Sequence, residues 1–164
     1  MLSAHEWRPM READLAALTA ISDAVHGEFT EPLAVFAERL ALFPAGCRVW
    51  GGAGAVGGYL VSHPWPRDSS PPLGKLLGAI PPDADSYYLH DIALLPAERG
   101  AGAGRAALDF VIGQARAGGF TDITLTAVHG ADRYWAARGF AYAETEGSYG
   151  EGTYLMRRRV GDRP

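Results

Sequence analysis

The run Leu94-Leu95-Pro96-Ala97-Glu98-Arg99-Gly100-Ala101-Gly102-Ala103-Gly104-Arg105 leads without a break into residues patterned as a helix. Three glycines at alternate positions remove Cβ atoms where a turn must aim several N–H groups at one point, and a helix start adds four amides that lack partners of their own. Such a turn suits a pyrophosphate. The helix dipole contributes only about 0.3–1 kcal/mol per charge, so affinity must come from several hydrogen bonds acting together, with Arg99 and Arg105 adding charge. A flexible glycine linker is the bland alternative, but linkers are not usually followed at once by a well-patterned amphipathic helix.

The flanking pattern supplies the strand and the helix that this turn requires. Tyr87 to Leu95 is an apolar run rich in strand formers and stopped by Pro96, which predicts a buried central strand. The helix is predicted over about Gly102 to Ala117, with Leu108, Val111, Ile112 and Ala115 on one face and Gly118-Gly119 as its stop. Upstream lie a short extended start at Trp7 to Met10, an amphipathic helix over 13–25 (Leu15, Leu18, Ile21, Val25), and a second beginning at Pro32 (Leu33, Phe36, Ala37, Leu40). Residues 47–50 and 56–62 read as a hairpin joined by Gly51-Gly52-Ala53-Gly54. Downstream, strands are predicted at 122–128, 140–144 and 153–160, with a short helix at 131–138 capped by Gly139.

Between Ser62 and Ser86 stand six of the eleven prolines, with little periodicity. A connection this long inside a compact domain either covers a site or is disordered, and we expect a wall of a substrate pocket. Strands alternating with helices after a hairpin predict a mixed α/β sheet. With 164 residues, 48% of them hydrophobic, the chain is expected to form one domain over 1–164, its core at 7–160.

Composition removes several functions. A net charge of −4 argues against a general nucleic-acid binder, which needs a cationic field along phosphates. Cys47 is the only cysteine, so neither a disulfide framework nor a Cys-rich zinc site is expected within the monomer, and we expect no metal. The start lacks the apolar run of a secretory signal, and no 18 apolar residues pass uninterrupted, so no membrane partner and a cytoplasmic location are expected.

Two other glycine signals compete. Gly52-Ala53-Gly54-Ala55-Val56-Gly57 fits GxGxxG literally, but a strand follows it, not a helix. Gly102-Ala103-Gly104-Arg105-Ala106-Ala107 fits the GxGxxA variant and opens a helix, which leaves a Rossmann-type NAD(P)-dependent oxidoreductase as an alternative. That fold wants an acidic residue after the next strand. Asp122 stands at the strand's start instead, and too few residues remain for a second half.

Arg99-Gly100-Ala101-Gly102-Ala103-Gly104 resembles the Arg/Gln-x-x-Gly-x-Gly/Ala motif of the GNAT superfamily of acyl-CoA N-acyltransferases. Ala131 to Phe140, a short helix closing on Gly-Phe, is similar to that family's later motif, and with the order of elements the resemblance covers roughly residues 7–160. It implies a GNAT-like single domain with a mixed central sheet of about six to seven strands flanked by about four helices. Acetyl-CoA would be the cosubstrate, its pantetheine arm along Ile92, Ala93 and Leu94 and its pyrophosphate in the cradle Arg99, Gly100, Ala101, Gly102, Ala103, Gly104 and Arg105. The acceptor would be the primary amine of a small molecule, acetylated directly without a metal or a covalent enzyme intermediate. A homodimer through the last strands is left open. A CoA-binding regulator of the same fold, without catalysis, is a second expectation.

An amine with a lysine-like pKa near 10.4 is neutral about once in 2,500 molecules at pH 7, so deprotonation costs roughly 4–5 kcal/mol. A positioned base is worth about 10² to 10⁴ in rate. His90 is the first candidate: it lies on the central strand just before the cofactor-contacting residues, in Leu89-His90-Asp91-Ile92-Ala93-Leu94, which resembles the strand of arylalkylamine N-acyltransferases. A hydrogen-bonded core histidine is the bland reading. By the two-residue period Tyr88 and His90 share one face and Asp91 takes the other, unless a bulge turns it round.

Where the family usually carries the tyrosine that protonates the departing thiolate, this chain has Trp135, whose indole is no acid at neutral pH. Tyr134 is therefore the candidate acid, rotated by about 100° on the helix. The family's usual Asn before this helix is replaced by Val128 and His129. Arg157-Arg158-Arg159 reads as a solvated or edge-protecting strand face. Tyr87, Tyr149 and Tyr154, with Trp65 in the long loop, are expected either to line an aromatic acceptor pocket or to pack in the core.

Overall fold

A computed structural model describes residues 5–52, 54–143, 149 and 151–161. Ala53 of the expected glycine turn and residue 144 of the expected strand 140–144 lie outside the described residues. In chain order the elements are β1 (Glu6–Pro9), α1 (Leu15–His26), α2 (Leu33–Leu42), β2 (Cys47–Gly51), β3 (Gly58–Trp65), β4 (Ser86–Leu94), α3 (Ala103–Ala117), β5 (Asp122–Ala127), α4 (Asp132–Ala136), β6 (Ala141–Tyr142) and β7 (Tyr154–Arg159). The strands form one seven-stranded mixed sheet in the order β1-β2-β3-β4-β5-β7-β6. Among the described residues only β4 and β5 run parallel.

Each face of the sheet is covered by the helices whose apolar stripes the sequence displays. On one face α1 and α2 bury Leu15, Leu18, Ile21 and Phe36 against Val49, Tyr59, Val61 and Ala93. On the other, α3 buries Ala107, Leu108, Val111 and Ala115 against Leu60, Tyr87, Leu89, Ile123 and Leu125. Pro32 extends the lead into α2 as its N-cap, not as its first helical residue. β3 runs three residues further than expected, through Pro64 and Trp65. Proline is tolerated there because β2 pairs with β3 only as far as Val61, so the missing N–H removes no ladder bond to β2. Of the expected solvated or edge-protecting run Arg157–Arg159, β6 pairs with Arg157 alone, and Arg159 is exposed. Arg158 is buried and donates to the Arg138 carbonyl at 3.1 Å, while Arg157 reaches Asp68 at 2.8 Å.

Two irregularities of β4 open a cleft in the sheet. The β4–β5 ladder holds only from Tyr87↔Ile123 to Leu89↔Leu125, and past that point the strands part. The N–H of Leu95 bonds the Gly57 carbonyl on the β3 side, so the strand's alternation sends the N–H and C=O groups of Ile92 and Leu94 towards the open side. The second irregularity is a bulge: Val61 pairs with Asp91 and Ser62 with Leu89, leaving His90 as the extra residue. The bulge rotates Asp91 out of simple alternation. Asp91 thus joins His90 on the α1 and α2 side, where its carboxylate meets Tyr59 and His26.

Candidate active site

The glycine turn takes the form that an anion cradle requires, and its three glycines have different reasons. Gly100 (φ 86°) and Gly102 (φ 82°) adopt left-handed backbone with no neighbour near a Cβ, so conformation alone selects glycine there. Gly102 is the N-cap of α3. Gly104 is helical, but a Cβ added to it would overlap the Tyr134 hydroxyl. The α3 start is anchored by Trp7, whose indole N–H donates to the Ala103 carbonyl at 2.9 Å.

Above this turn lies a cavity of about 670 Å³ that runs along the open edge of β4. Ile92, Ala93, Leu94, Arg99, Gly100, Gly102, Ala103, Gly104, Arg105 and Tyr134 all line it; of the residues expected on the cofactor side, Ala101 alone is not in the lining. Arg138 adds a third arginine, its guanidinium 3.5 Å from the centre of the Tyr134 ring. Among the described residues no carboxylate lines this cavity. Left-handed glycines, free amides at a helix start, three arginines and an unpaired strand edge fit a diphosphate carrying an extended amide-containing arm.

A second, narrower cavity of about 100 Å³ continues past the splay and shares His26, Ile92, Val128, Ala131 and Trp135 with the first. Its chemistry is the reverse: Glu31 and Asp91 line it, and among the described residues no Lys or Arg does. Each carboxylate holds a histidine. Glu31 Oε1 lies 2.6 Å from His90 Nε2, and Asp91 Oδ1 lies 2.6 Å from His26 Nε2. Burial alone would push the Glu31 carboxyl up, but His90 outweighs it and holds the group below the usual carboxylate range. Burial alone would pull His26 down, but Asp91 outweighs it and raises the imidazole above its ordinary value. The Tyr59 hydroxyl donates to the other Asp91 oxygen at 2.6 Å.

Behind this wall His63 is kept neutral, pushed down to about 3 by burial and by His90. The proline-rich segment, here residues 66–85, closes the narrow cavity from outside. Gly74 N–H donates to Glu31 at 2.8 Å, Leu77 and Gly78 N–H donate to Glu38, and the Tyr149 hydroxyl donates to the Pro71 carbonyl at 3.1 Å. Leu73 and Tyr149 thereby enter the lining.

The sequence-predicted groups divide between the two cavities. His90 is on the narrow side, at the bulge. Tyr134 is on the wide side, 39% exposed, with its hydroxyl over Gly104 and its ring edge-on to Trp135 at 4.9 Å. Trp135 occupies the junction itself, lines both cavities and is buried edge-on against Phe140 at 5.5 Å. Of the expected aromatic pocket only Tyr149 is in the lining: Tyr87 is core, and Tyr154 packs on Tyr142 at the surface. His129, with left-handed backbone (φ 52°), donates to the His26 carbonyl at 3.0 Å and packs on Phe29, tying the β5–α4 loop to the end of α1. His26, Glu31 and Asp91 were not singled out for catalysis by the sequence. Among the described residues no group of three metal-ligating side chains converges, and no helix is long and apolar enough to cross a membrane.

The fold is shared with solved structures at low identity. Ard1 from Thermoplasma volcanium superposes with a TM-score of 0.74 at 19% identity, over 97% of this chain and 99% of that one. The GNAT-like decarboxylase GphF, in complex with isobutyryl-CoA, gives 0.76 at 17%, over 94% and 99%. The Escherichia coli ribosomal-protein-S18-alanine N-acetyltransferase gives 0.67 at 17%, over 98% and 97%. No curated protein matches the chain in sequence. The acetyltransferase (GNAT) family profile matches residues 16–140, which takes in the β4 bulge, the glycine cradle and the Gly-Phe turn, and leaves no place for a Rossmann-type oxidoreductase. The chain belongs to the GNAT family of acetyltransferases.

Proposed function

We propose that the protein transfers the acetyl group of acetyl-CoA directly to the primary amine of a small, uncharged or cationic molecule. The observation that carries this reading is the reversal of polarity between two connected cavities. The wide one offers arginines, cradle amides and the open edge of β4 to a phosphorylated acyl carrier, while the narrow one offers two carboxylate–histidine pairs to an ammonium group. An acceptor bearing its own carboxylate would meet Glu31 and Asp91 without an arginine or lysine beside it, so amino acids are disfavoured. The narrow volume, capped by Leu73 and Tyr149, favours a compact amine over a polypeptide terminus.

In this reading the amine loses a proton to a histidine of the narrow cavity, attacks the acyl carbon at the junction, and expels the thiolate along β4. The non-catalytic alternative draws on Trp135 at that junction. Thiol release from acetyl-CoA over a panel of small primary amines, amino acids and peptides separates the readings. Turnover confined to amines without a carboxylate supports the proposal. Micromolar acetyl-CoA binding with no turnover on any acceptor overturns it in favour of a CoA-binding regulator.

A further inference from the structure

We propose that His26, on the last turn of α1 and held by Asp91, is the base that takes the acceptor's proton, with His90 part of the wall that supports it. This rests on the acetyl-transfer reading above. The two histidines look alike in partner and distance, each with Nε2 at 2.6 Å from a carboxylate oxygen, but they differ at the other nitrogen. His90 Nδ1 is sealed from solvent and has no partner among the described residues, and the His90 side chain is 1% exposed. His26 is 16% exposed, lines both cavities, and its Nδ1 carries no hydrogen bond among the described residues. A base must reach the proton it removes. Among the described histidines only His26 lines both cavities, where the acyl carbon and the amine would meet.

The support behind His26 has the form of a relay of orientation. Asp91 accepts from Nε2–H, which leaves Nδ1 as the basic nitrogen of the neutral ring. The β4 bulge turns Asp91 to this face, and Tyr59 fixes its second oxygen at 2.6 Å. The ring is further held by its own backbone, since the His26 carbonyl accepts from His129 Nε2. Ionisable groups around the imidazole are Asp91 and His90 on β4, Glu31 ahead of α2, Tyr59 on β3 and His129 before α4. The two carboxylates favour the imidazolium, so the ring suits proton uptake from an ammonium.

The protons balance as follows. The acceptor enters as R–NH₃⁺ and passes one proton to Nδ1, which later releases it to solvent. The nitrogen lone pair forms the C–N bond, the C–S pair leaves with sulfur, and the proton remaining in excess on nitrogen goes to the thiolate.

The test compares the parent enzyme with H26Q, D91N and H90Q, all checked by thermal melting and by acetyl-CoA titration calorimetry. The assay follows thiol release with the small amine that the parent turns over fastest, from pH 5.5 to 9.5. We expect H26Q to bind acetyl-CoA as the parent does and to lose kcat/KM by about 10² to 10⁴-fold, with the ascending limb of the pH profile abolished. D91N should move that limb to lower pH. H90Q, whatever its rate, should keep the limb in place. In parallel, NMR of ¹³C-labelled histidine follows the signal that H26Q removes, expected to titrate above about 6.5 and to fall in D91N. An H26Q enzyme with the parent limb, or a limb lost in H90Q alone, overturns the assignment. Failure of the acetyl-transfer reading would show in the parent enzyme itself, so the two failures are distinct.

Discussion

Gly102 and Gly104 sit two residues apart in one motif, yet replacing each with alanine should fail in a different way. At Gly102 the backbone is left-handed and the space around a Cβ is empty. Alanine there costs about 1–2 kcal/mol of conformational strain. For a domain of this size that lowers Tm by about 2–8 °C. At Gly104 the backbone is helical, so alanine gains up to about 1 kcal/mol in propensity. The new methyl instead displaces the Tyr134 hydroxyl, which must retreat by about 1 Å to reach a normal van der Waals separation. Tyr134 is 39% exposed and held by Arg138 on its face and Trp135 edge-on at 4.9 Å, so the ring can swing for about 1–2 kcal/mol, which the propensity gain largely offsets. G104A should therefore melt within about 2–4 °C of the parent while the displaced ring narrows the wide cavity. Weakening of acetyl-CoA by roughly tenfold, about 1.4 kcal/mol, is expected from titration calorimetry. Adding Y134A removes the ring that was pushed aside, so G104A should cost much less affinity in that background. A coupling energy of about 1 kcal/mol follows for the cycle. Strict additivity, with G104A costing the same with or without Tyr134, would refute the claim that Tyr134 is what selects glycine here.

Three further outcomes are expected. G102D should abolish acetyl-CoA binding in calorimetry while the protein still melts cooperatively, since it puts an anion where the phosphates lie; unchanged affinity would remove the cradle assignment. E31Q should destabilise at pH 7 by about 1.5–3 kcal/mol, the worth of a hydrogen bond to a charged group, or about 3–12 °C in Tm. Because the folded Glu31 carboxyl is held below its unfolded value, that contribution is full above about pH 4.3 and drains away as pH falls through the folded value, so the parent and E31Q melting curves should converge in acid. Y134F should raise the KM for acetyl-CoA by more than it lowers kcat, because the hydroxyl lies at the phosphate end; a fall in kcat alone would restore Tyr134 as the thiolate's acid.

The cradle was legible because its chemistry is local: a strand end, alternate glycines and a helix start lie within twenty residues, and each leaves a mark in the order of residue types. The helical faces of α1, α2 and α3 were legible for the same reason. What escaped was set by register. The bulge at His90 exists because Val61 and Ser62 of another strand pair on either side of it, and no pattern within residues 86–94 announces that. The two histidine–carboxylate pairs escaped too, since His26 and Asp91 are 65 residues apart and Glu31 and His90 are 59 apart. Glu31 lies just ahead of the predicted second helix and His26 just past the predicted first one, where no local pattern marks a partner. Pro64 misled in the other direction: a proline reads as a strand's end unless one knows that the neighbouring strand has already stopped.

Trp135 is the departure from the family pattern that most threatens catalysis, and the proton balance shows why it need not. Net transfer from an ammonium releases one proton to solvent and delivers one to sulfur. In the proposed mechanism His26 takes the first. Once the nitrogen lone pair is committed to the C–N bond, the nitrogen's remaining excess proton is far more acidic than a free ammonium, and a thiolate with a thiol-like pKa near 8.5 accepts it without an intermediary. An acid at position 135 would speed a step that already runs downhill. What the junction does need is dryness, because water competes with the amine for the acyl carbon and screens the carboxylates that orient the base. A buried indole lining both cavities supplies that apolar wall where a phenol would bring a hydroxyl and its hydration. The substitution therefore exchanges a proton donor the reaction can do without for exclusion of the solvent that would divert it.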